Sequence, residues 1–425
     1  MIKKQFNRLM DFLPSKKILK NMSFLVIGEI FAKIIMFFIT IYLARSLNPE
    51  FYGRYSLAYN IALGTLFIVD LGMNTLVLRE GSKDHKHLGN TVSNVMSFKI
   101  IWGFVVALTL CIITWLFLPY DNNQKMLIYV ACILVIIQGV STLLNIVFRA
   151  FEEMKYNSIV RISDVVIFGA VVYLLFTYDK NPLYILIAWI ISRIIITIMQ
   201  LIFIKKFIKI KFLLIPNWSL CFGIIKHSFW IGVAVLVTNT YGYINVLIVS
   251  LYLSAASIGF YAVASQLVTA GTMIRGVISD AIFPNTCKNI HKPDYAKKFL
   301  RYISILSLLA ALGALIVTIL AKWIILIAFG KEYLPAVLVL QILIWYVPIY
   351  IYNIWGLQVL DSTNNQKYHV WTESIIIIIT LALNLLLIRT YGIVGVAIAT
   401  ITGRFIGSIF LNYTANKIAK KEVVQ

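Results

Sequence analysis

The sequence predicts an all-α, polytopic membrane protein: twelve transmembrane helices in two pseudo-twofold-related six-helix lobes around a central cavity. Three observations predict it. Hydrophobic residues make up 60% of the 425 residues and charged ones 13%, a balance that precipitates a soluble domain but suits a chain dissolved in lipid. Twelve apolar runs approach or exceed the ~20 residues that a helix needs to cross a hydrocarbon core. The chain also repeats itself at half its length. Gly53 and Tyr55 recur as Gly259 and Tyr261, offset 206; Lys155-Tyr156 recurs as Lys367-Tyr368, offset 212; Ala188 and Arg193 recur as Ala399 and Arg404, offset 211. Many secondary transporters build a cavity that faces either side in turn by such duplication.

Taken in order, residues 1–22 carry Lys3, Lys4, Arg8, Lys16, Lys17 and Lys20 and are expected to lie along the cytoplasmic interface as an amphipathic segment. No small-x-small cleavage site follows the first apolar run, so it reads as a retained helix. The N-lobe, 23–204, holds runs at 23–45, 55–78, 95–118, 126–148, 159–178 and 183–204. Residues 205–227 alternate basic and apolar positions before Pro216-Asn217 and form an interfacial connector. The C-lobe, 228–413, holds runs at 228–250, 258–283, 302–326, 334–359, 373–388 and 393–413, and 414–425 is a cytoplasmic tail. Pro284 is expected to end the eighth helix and Pro348 to kink the tenth. Gly330 to Tyr333 separates the ninth from the tenth, with Pro335 in the latter's first turn.

Charge sets the topology, because basic residues resist translocation. One side carries seven, Arg45, Arg54, Lys125, Lys180, Lys322, Lys331 and Arg389, whereas Lys and Arg crowd the N-terminus, the even-to-odd connections and the tail. Both termini are therefore expected in the cytoplasm. The net charge of +21 reflects this bias and attraction to anionic headgroups, not a nucleic-acid footprint. Cys111, Cys132, Cys221 and Cys287 show no CxxC spacing and no clustered His, so neither a disulfide, a metal nor another cofactor is expected. Short external loops and the lack of a Walker motif leave little room for an enzyme.

Several short motifs then carry a resemblance. Asn48-Pro49-Glu50-Phe51-Tyr52-Gly53, Asp70-Leu71-Gly72 with Arg79-Glu80, Phe148-Arg149-Ala150-Phe151, Gly259-Phe260-Tyr261, Phe283-Pro284, Phe329-Gly330-Lys331-Glu332-Tyr333 and Asn384-Leu385-Leu386 with Tyr391-Gly392-Ile393 resemble the polysaccharide-transporter proteins. These include the Wzx-type flippases of lipid-linked oligosaccharides, in the superfamily that also holds multidrug and toxin exporters. The resemblance implies a V-shaped cavity in a bacterial cytoplasmic membrane. It also implies transfer of a polyprenyl-pyrophosphate-linked glycan from inner to outer leaflet for O-antigen, capsule or exopolysaccharide assembly. Membrane lipid and envelope glycan assembly proteins are the further partners. The family varies in its intramembrane charges, so the lobes carry over and no residue roles do.

An ionisable group at the centre of a span costs about 2.5–3.5 kcal/mol on insertion scales, so each needs a wet cavity or a partner. Glu29 and Lys33 stand at i and i+4 on the first helix, either neutralising each other or lining the cavity. Arg193, Arg275 and Arg404 either converge on an anionic headgroup, which a guanidinium fork binds bidentately, or pair with nearby acids. Asp70, Asp164 and Asp280, with Glu29, are the ion-coupling candidates, since a buried carboxyl takes up a proton more readily; alternatively they neutralise the arginines. Sugar rings need aromatic faces and amides, which Tyr346, Tyr350 and Asn353 supply at i, i+4 and i+7, beside Asn239 on the seventh helix. The rival readings are an ion-coupled multidrug or toxin exporter, a membrane glycan polymerase or ligase, and a scaffold for envelope assembly.

Overall fold

Helices dominate the backbone for the reason hydropathy gives: in hydrocarbon every N–H and C=O must be satisfied within its own segment. The computed structural model describes residues 16–83, 85, 88–210, 217–363 and 365–424. Within these, side chains at 16–26, 230, 231, 234, 235, 237–242, 277, 280, 281, 284, 293, 294 and 421–424 lie outside the description. The first half forms α1 (Lys16–Ser46), α2 (Pro49–Asp70), α3 (Met73–Gly81), α4 (Leu88–Leu116), α5 (Asn122–Ala150), α6 (Met154–Phe176) and α7 (Pro182–Phe203). The second forms α8 (Trp218–Tyr252), α9 (Ala255–Asn289), α10 (Pro293–Ala328), α11 (Ala336–Leu343), α12 (Tyr346–Ser362) and α13 (Gln366–Val424).

Among the described residues nine runs are long and apolar enough to cross a membrane, and the pair α2 and α3, bent by 51°, makes a tenth. The run Gln366–Lys420 covers 55 residues, enough for two crossings, and turns at Gly392. With that division, and with the 35-residue α8 that ends in apolar Tyr243–Tyr252, the crossings number twelve, six in each half.

Three local features depart from the hydropathy pattern. The second run is broken, since Leu71 and Gly72 take positive φ values of 46° and 78°. A Cβ at Gly72 would stand 2.5 Å from both the Gly232 nitrogen and the Ser228 oxygen, so glycine is required there on both counts. The Ser228 hydroxyl donates to the Leu71 carbonyl at 2.9 Å, satisfying a group that the break frees. Pro284 does not end its helix: α9 runs on to Asn289. The tenth run loosens one turn before Pro348, where Trp345 and Val347 bond back to residues three earlier, Ile342 and Ile344.

The chain divides into two compact units. The first comprises Met1–Ile39, Thr65–Leu118 and Tyr129–Val233; the second comprises Thr40–Gly64, Pro119–Ile128 and Ala234–Gln425. The first is built on a buried cluster that includes Met73, Leu88, Leu143, Leu144, Val147 and Phe148. Buried Gln200 donates to the Ser141 carbonyl and to Asn145, tying α7 to α5.

In the second unit α2 and α9 meet backbone to backbone at the repeat-matched glycines. A Cβ on Gly53 would stand 2.8 Å from the Gly259 nitrogen and collide with the Ala255 carbonyl, while one on Gly259 would collide with the Pro49 carbonyl. Lipid tails are as apolar as leucine, so helix association depends on such close approach. Buried Tyr333 packs nearby against Tyr52, Phe260 and Phe329, ring centroids 6.0–6.4 Å apart. Tyr120 and Ser250 share a hydroxyl hydrogen bond of 2.6 Å, and Arg54 bonds Asp121 at 2.7 Å.

Candidate functional site

Two arginines share one tyrosine ring in the second unit. Arg275, on α9, holds its guanidinium carbon 4.1 Å from the Tyr350 ring centroid, within cation–π range. Arg404, on the second limb of α13, stands 5.6 Å from the same ring and 5.2 Å from that of Tyr346. The two tyrosines, one helical turn apart on α12, pack against each other with ring centroids 5.2 Å apart and planes tilted by 36°.

The two arginines differ in how their charge is met. Arg404 is 4% exposed and donates from Nη1 to the Glu373 carboxylate at 2.8 Å. The His369 Nε2 stands 3.8 Å from the same carboxylate oxygen. Arg275 makes no ion pair among the described residues, and its Nε is buried without a hydrogen-bond partner. Asp361 and His369 lie within electrostatic range of it. The patch thus offers one cation paired with Glu373, one cation with no ion pair among the described residues, and an aromatic surface between them. A guanidinium with free donors in a low-dielectric site suits a phosphate-like anion.

The first unit holds the remaining charges in pairs. Arg193 bonds Asp164 at 2.7 Å and lies 5.0 Å over the Trp189 ring, while the Ser192 hydroxyl donates to the second Asp164 oxygen at 3.1 Å. Glu29 accepts from Arg161 at 2.7 Å and from Lys33 at 3.1 Å. Asp70, the last residue of α2, bonds Lys99 at 2.6 Å, and Lys99 also donates to Asn74. Lys99 is wholly buried, so its pairing with Asp70 holds the broken helix against α4.

Of the sequence-predicted site residues, the fold therefore brings Arg275, Arg404, Tyr346 and Tyr350 around one ring. Arg193, Lys33, Glu29, Asp70 and Asp164 belong to the first unit, in ion pairs. Asn353 is 2% exposed and turned into the helix packing, where it accepts from Ser408 and Asn412. The side chains of Asn239 and Asp280 lie outside the described residues. Asn245 is buried in a polar network, donating to Tyr261 and Thr400 and accepting from Asn384.

Lys99, Asp361, His369 and Glu373 were not singled out from the sequence. The duplication carried a signal for one of them. Arg193 recurs as Arg404 at offset 211, and Asp164 has its counterpart in Glu373 at offset 209, so each half places an acid on its fifth crossing against an arginine on its sixth. Lys99 was visible as a lysine inside the third apolar run.

The sequence profile described as "Polysaccharide biosynthesis protein" matches residues 18–290. A search of curated proteins gave no match. Among solved structures, the chain is similar to the lipid II flippase MurJ, with a TM-score of 0.74 at 15% identity over 94% of this chain and 90% of that one. It is similar to an inward-facing multidrug resistance MATE family transporter of the MOP superfamily, with a TM-score of 0.72 at 11% identity over 92% and 95%. A MATE transporter of Vibrio cholerae, VcmN, overlays with a TM-score of 0.64 at 12% identity over 96% and 98%.

Proposed function

Because the chain belongs to the polysaccharide biosynthesis protein family, we propose that it flips polyprenyl-pyrophosphate-linked oligosaccharide units from the inner to the outer leaflet by alternating access, supplying O-antigen, capsule or exopolysaccharide assembly. The observation that carries this reading is Arg275, a half-buried guanidinium inside an apolar span whose Nε has no hydrogen-bond partner, beside two packed tyrosines. The pyrophosphate docks on Arg275 and draws Arg404 away from Glu373, while the first sugar stacks on Tyr346 or Tyr350. The polyprenyl tail stays in lipid, so the hydrated glycan never meets hydrocarbon, which would cost several kcal/mol for each unsatisfied polar group. Both termini lie in the cytoplasm, as the basic connections favour.

Energy enters through the paired acids. Protonating Asp70 or Asp164 would strand a cation that each now neutralises, and the loss of a buried partner is worth about 3–5 kcal/mol, enough to drive one lobe from one arrangement to another; Glu29, paired with exposed cations, is the weaker candidate of the three. Asp280 belongs to the same set of coupling candidates.

A second reading, an ion-coupled multidrug exporter, draws on Glu373 and Asp361, two acids beside an aromatic pair that suits an organic cation. Proteoliposomes separate the two readings. Purified protein is expected to move a fluorescent polyprenyl-diphosphate oligosaccharide across the bilayer and to leave ethidium unmoved. Ethidium transport with a static lipid-linked glycan would favour the exporter.

A further inference from the structure

A concavity of about 700 Å³ opens in the second unit between α10, α12 and the second limb of α13. Ser307, Ala311, Ile349, Phe405, Ile409 and Tyr413 are among its walls. It opens on a surface of exposed large apolar side chains: Leu308, Leu309 and Leu312 on α10, and Phe405, Ile409 and Tyr413 on α13 are 52–69% accessible. In a membrane protein such a surface meets hydrocarbon. Several of its polar groups bond within the protein: Ser307 donates to the Pro348 carbonyl, Asn416 accepts from the Trp355 indole, and the Asn412 amide nitrogen donates to Asn353 and Ser408, while the Asn412 Oδ1 has no hydrogen-bond partner. An empty apolar groove beside fluid lipid forfeits dispersion contacts on its whole lining, so a chain fills it.

Charge identifies which lipid. Phe405, Ile409, Tyr413 and Asn416 form one stripe along α13, and Lys420 is its next member, with exposed Lys417 beside it. Exposed Lys297, Lys298 and Arg301 precede Ser307 on α10, Arg301 by six residues or about 9 Å of helix rise. No Asp or Glu occurs from Tyr295 to Ala328 or from Arg404 to Lys420; Asp294 and Glu422 bound these stretches in the sequence, and basic residues predominate along them. From Phe405 to Asn416 the groove runs about 17 Å along α13, close to the ~15 Å depth of one leaflet's hydrocarbon.

We propose that this groove is a binding site for one anionic phospholipid, an acyl chain lying between α10, α12 and α13 and the phosphate held by Arg301, Lys417 and Lys420. A membrane-surface cation attracts anionic headgroups generally; the groove converts that attraction into a seated molecule.

The test is native mass spectrometry of the full chain with dioleoyl-phosphatidylglycerol and dioleoyl-phosphatidylcholine in equal amounts. Wild type is expected to retain phosphatidylglycerol over phosphatidylcholine by about tenfold or more. The triple variant Arg301→Gln, Lys417→Gln, Lys420→Gln should lose that preference. Ala311→Trp, which fills the groove, should lose both lipids. Equal retention of the two lipids by wild type overturns the proposal, as does an undiminished preference in the triple variant. So does displacement of phosphatidylglycerol by equimolar farnesyl diphosphate, which would make the groove a seat for a prenyl carrier. Should Ala311→Trp fail to fold, the triple variant, altered only at exposed positions, decides alone.

Discussion

The ring of Tyr350 carries the guanidinium of Arg275 on its face at 4.1 Å. Arg404 approaches the same ring at 5.6 Å, already bonded to Glu373. The two cations differ in how their charge is met: Arg404 is paired with an acid, whereas Arg275 makes no ion pair among the described residues.

Replacing Arg275 by Ala should leave membrane insertion and amount unchanged while abolishing surface glycan. Arg275→Lys should retain part of the activity, since it preserves the charge and a cation–π contact worth about 0.5–2 kcal/mol but loses the planar fork. Quantitative glycan staining, normalised to immunoblotted protein, checks both. Normal staining in Arg275→Ala would remove the residue from the site.

Removing Asp70 leaves a wholly buried lysine unpaired. Asp70→Ala should therefore destabilise the first unit by about 3–5 kcal/mol, and Asp70→Leu combined with Lys99→Met should be milder than either single change. Thermal unfolding in detergent, arranged as a double-mutant cycle, measures this; additive losses would show that the pair contributes nothing as a pair.

Gly53 and Gly313 make an internal comparison. A Cβ at Gly53 strikes backbone of α9, whereas one at Gly313 on α10 meets nothing within 4 Å. Gly53→Ala should lower the melting temperature and Gly53→Val should abolish folding or transport. Gly313→Ala should be neutral or stabilise the protein by up to about 1 kcal/mol through helix propensity. A thermal melt that ranks the two alanine variants the other way would contradict the helix crossing described for α2 and α9.

Much of this architecture was legible in the sequence, because hydrocarbon imposes one strong rule. Apolar length marks a crossing and the offset near 206–212 marks the duplication, and neither depends on tertiary detail. What hydropathy could not reveal was the break after Asp70. Phe67, Ile68, Val69 and Leu71 continue the apolar pattern across it, and the bend depends on contacts of Gly72 with Ser228 and Gly232, far along the chain. Pro284 misled for the opposite reason, a local breaker overridden by the surrounding helix. For the site, residue chemistry singled out Arg275, Arg404, Tyr346 and Tyr350. Which cations would be neutralised was not legible, since that requires knowing which faces of α6 and α7 meet in the first unit, and which faces of the two limbs of α13 meet in the second. Glu373 escaped notice at the edge of its run, although Asp164 in the first repeat pointed to it.

The most direct test of the central claim is equilibrium binding of a short-chain polyprenyl-diphosphate disaccharide to purified wild type and to Arg275→Gln. A charge-assisted, bidentate contact predicts an affinity at least about tenfold weaker in the variant, equivalent to roughly 1.4 kcal/mol or more, with the wild-type affinity falling as salt is raised. Equal affinities for the two proteins would contradict the account.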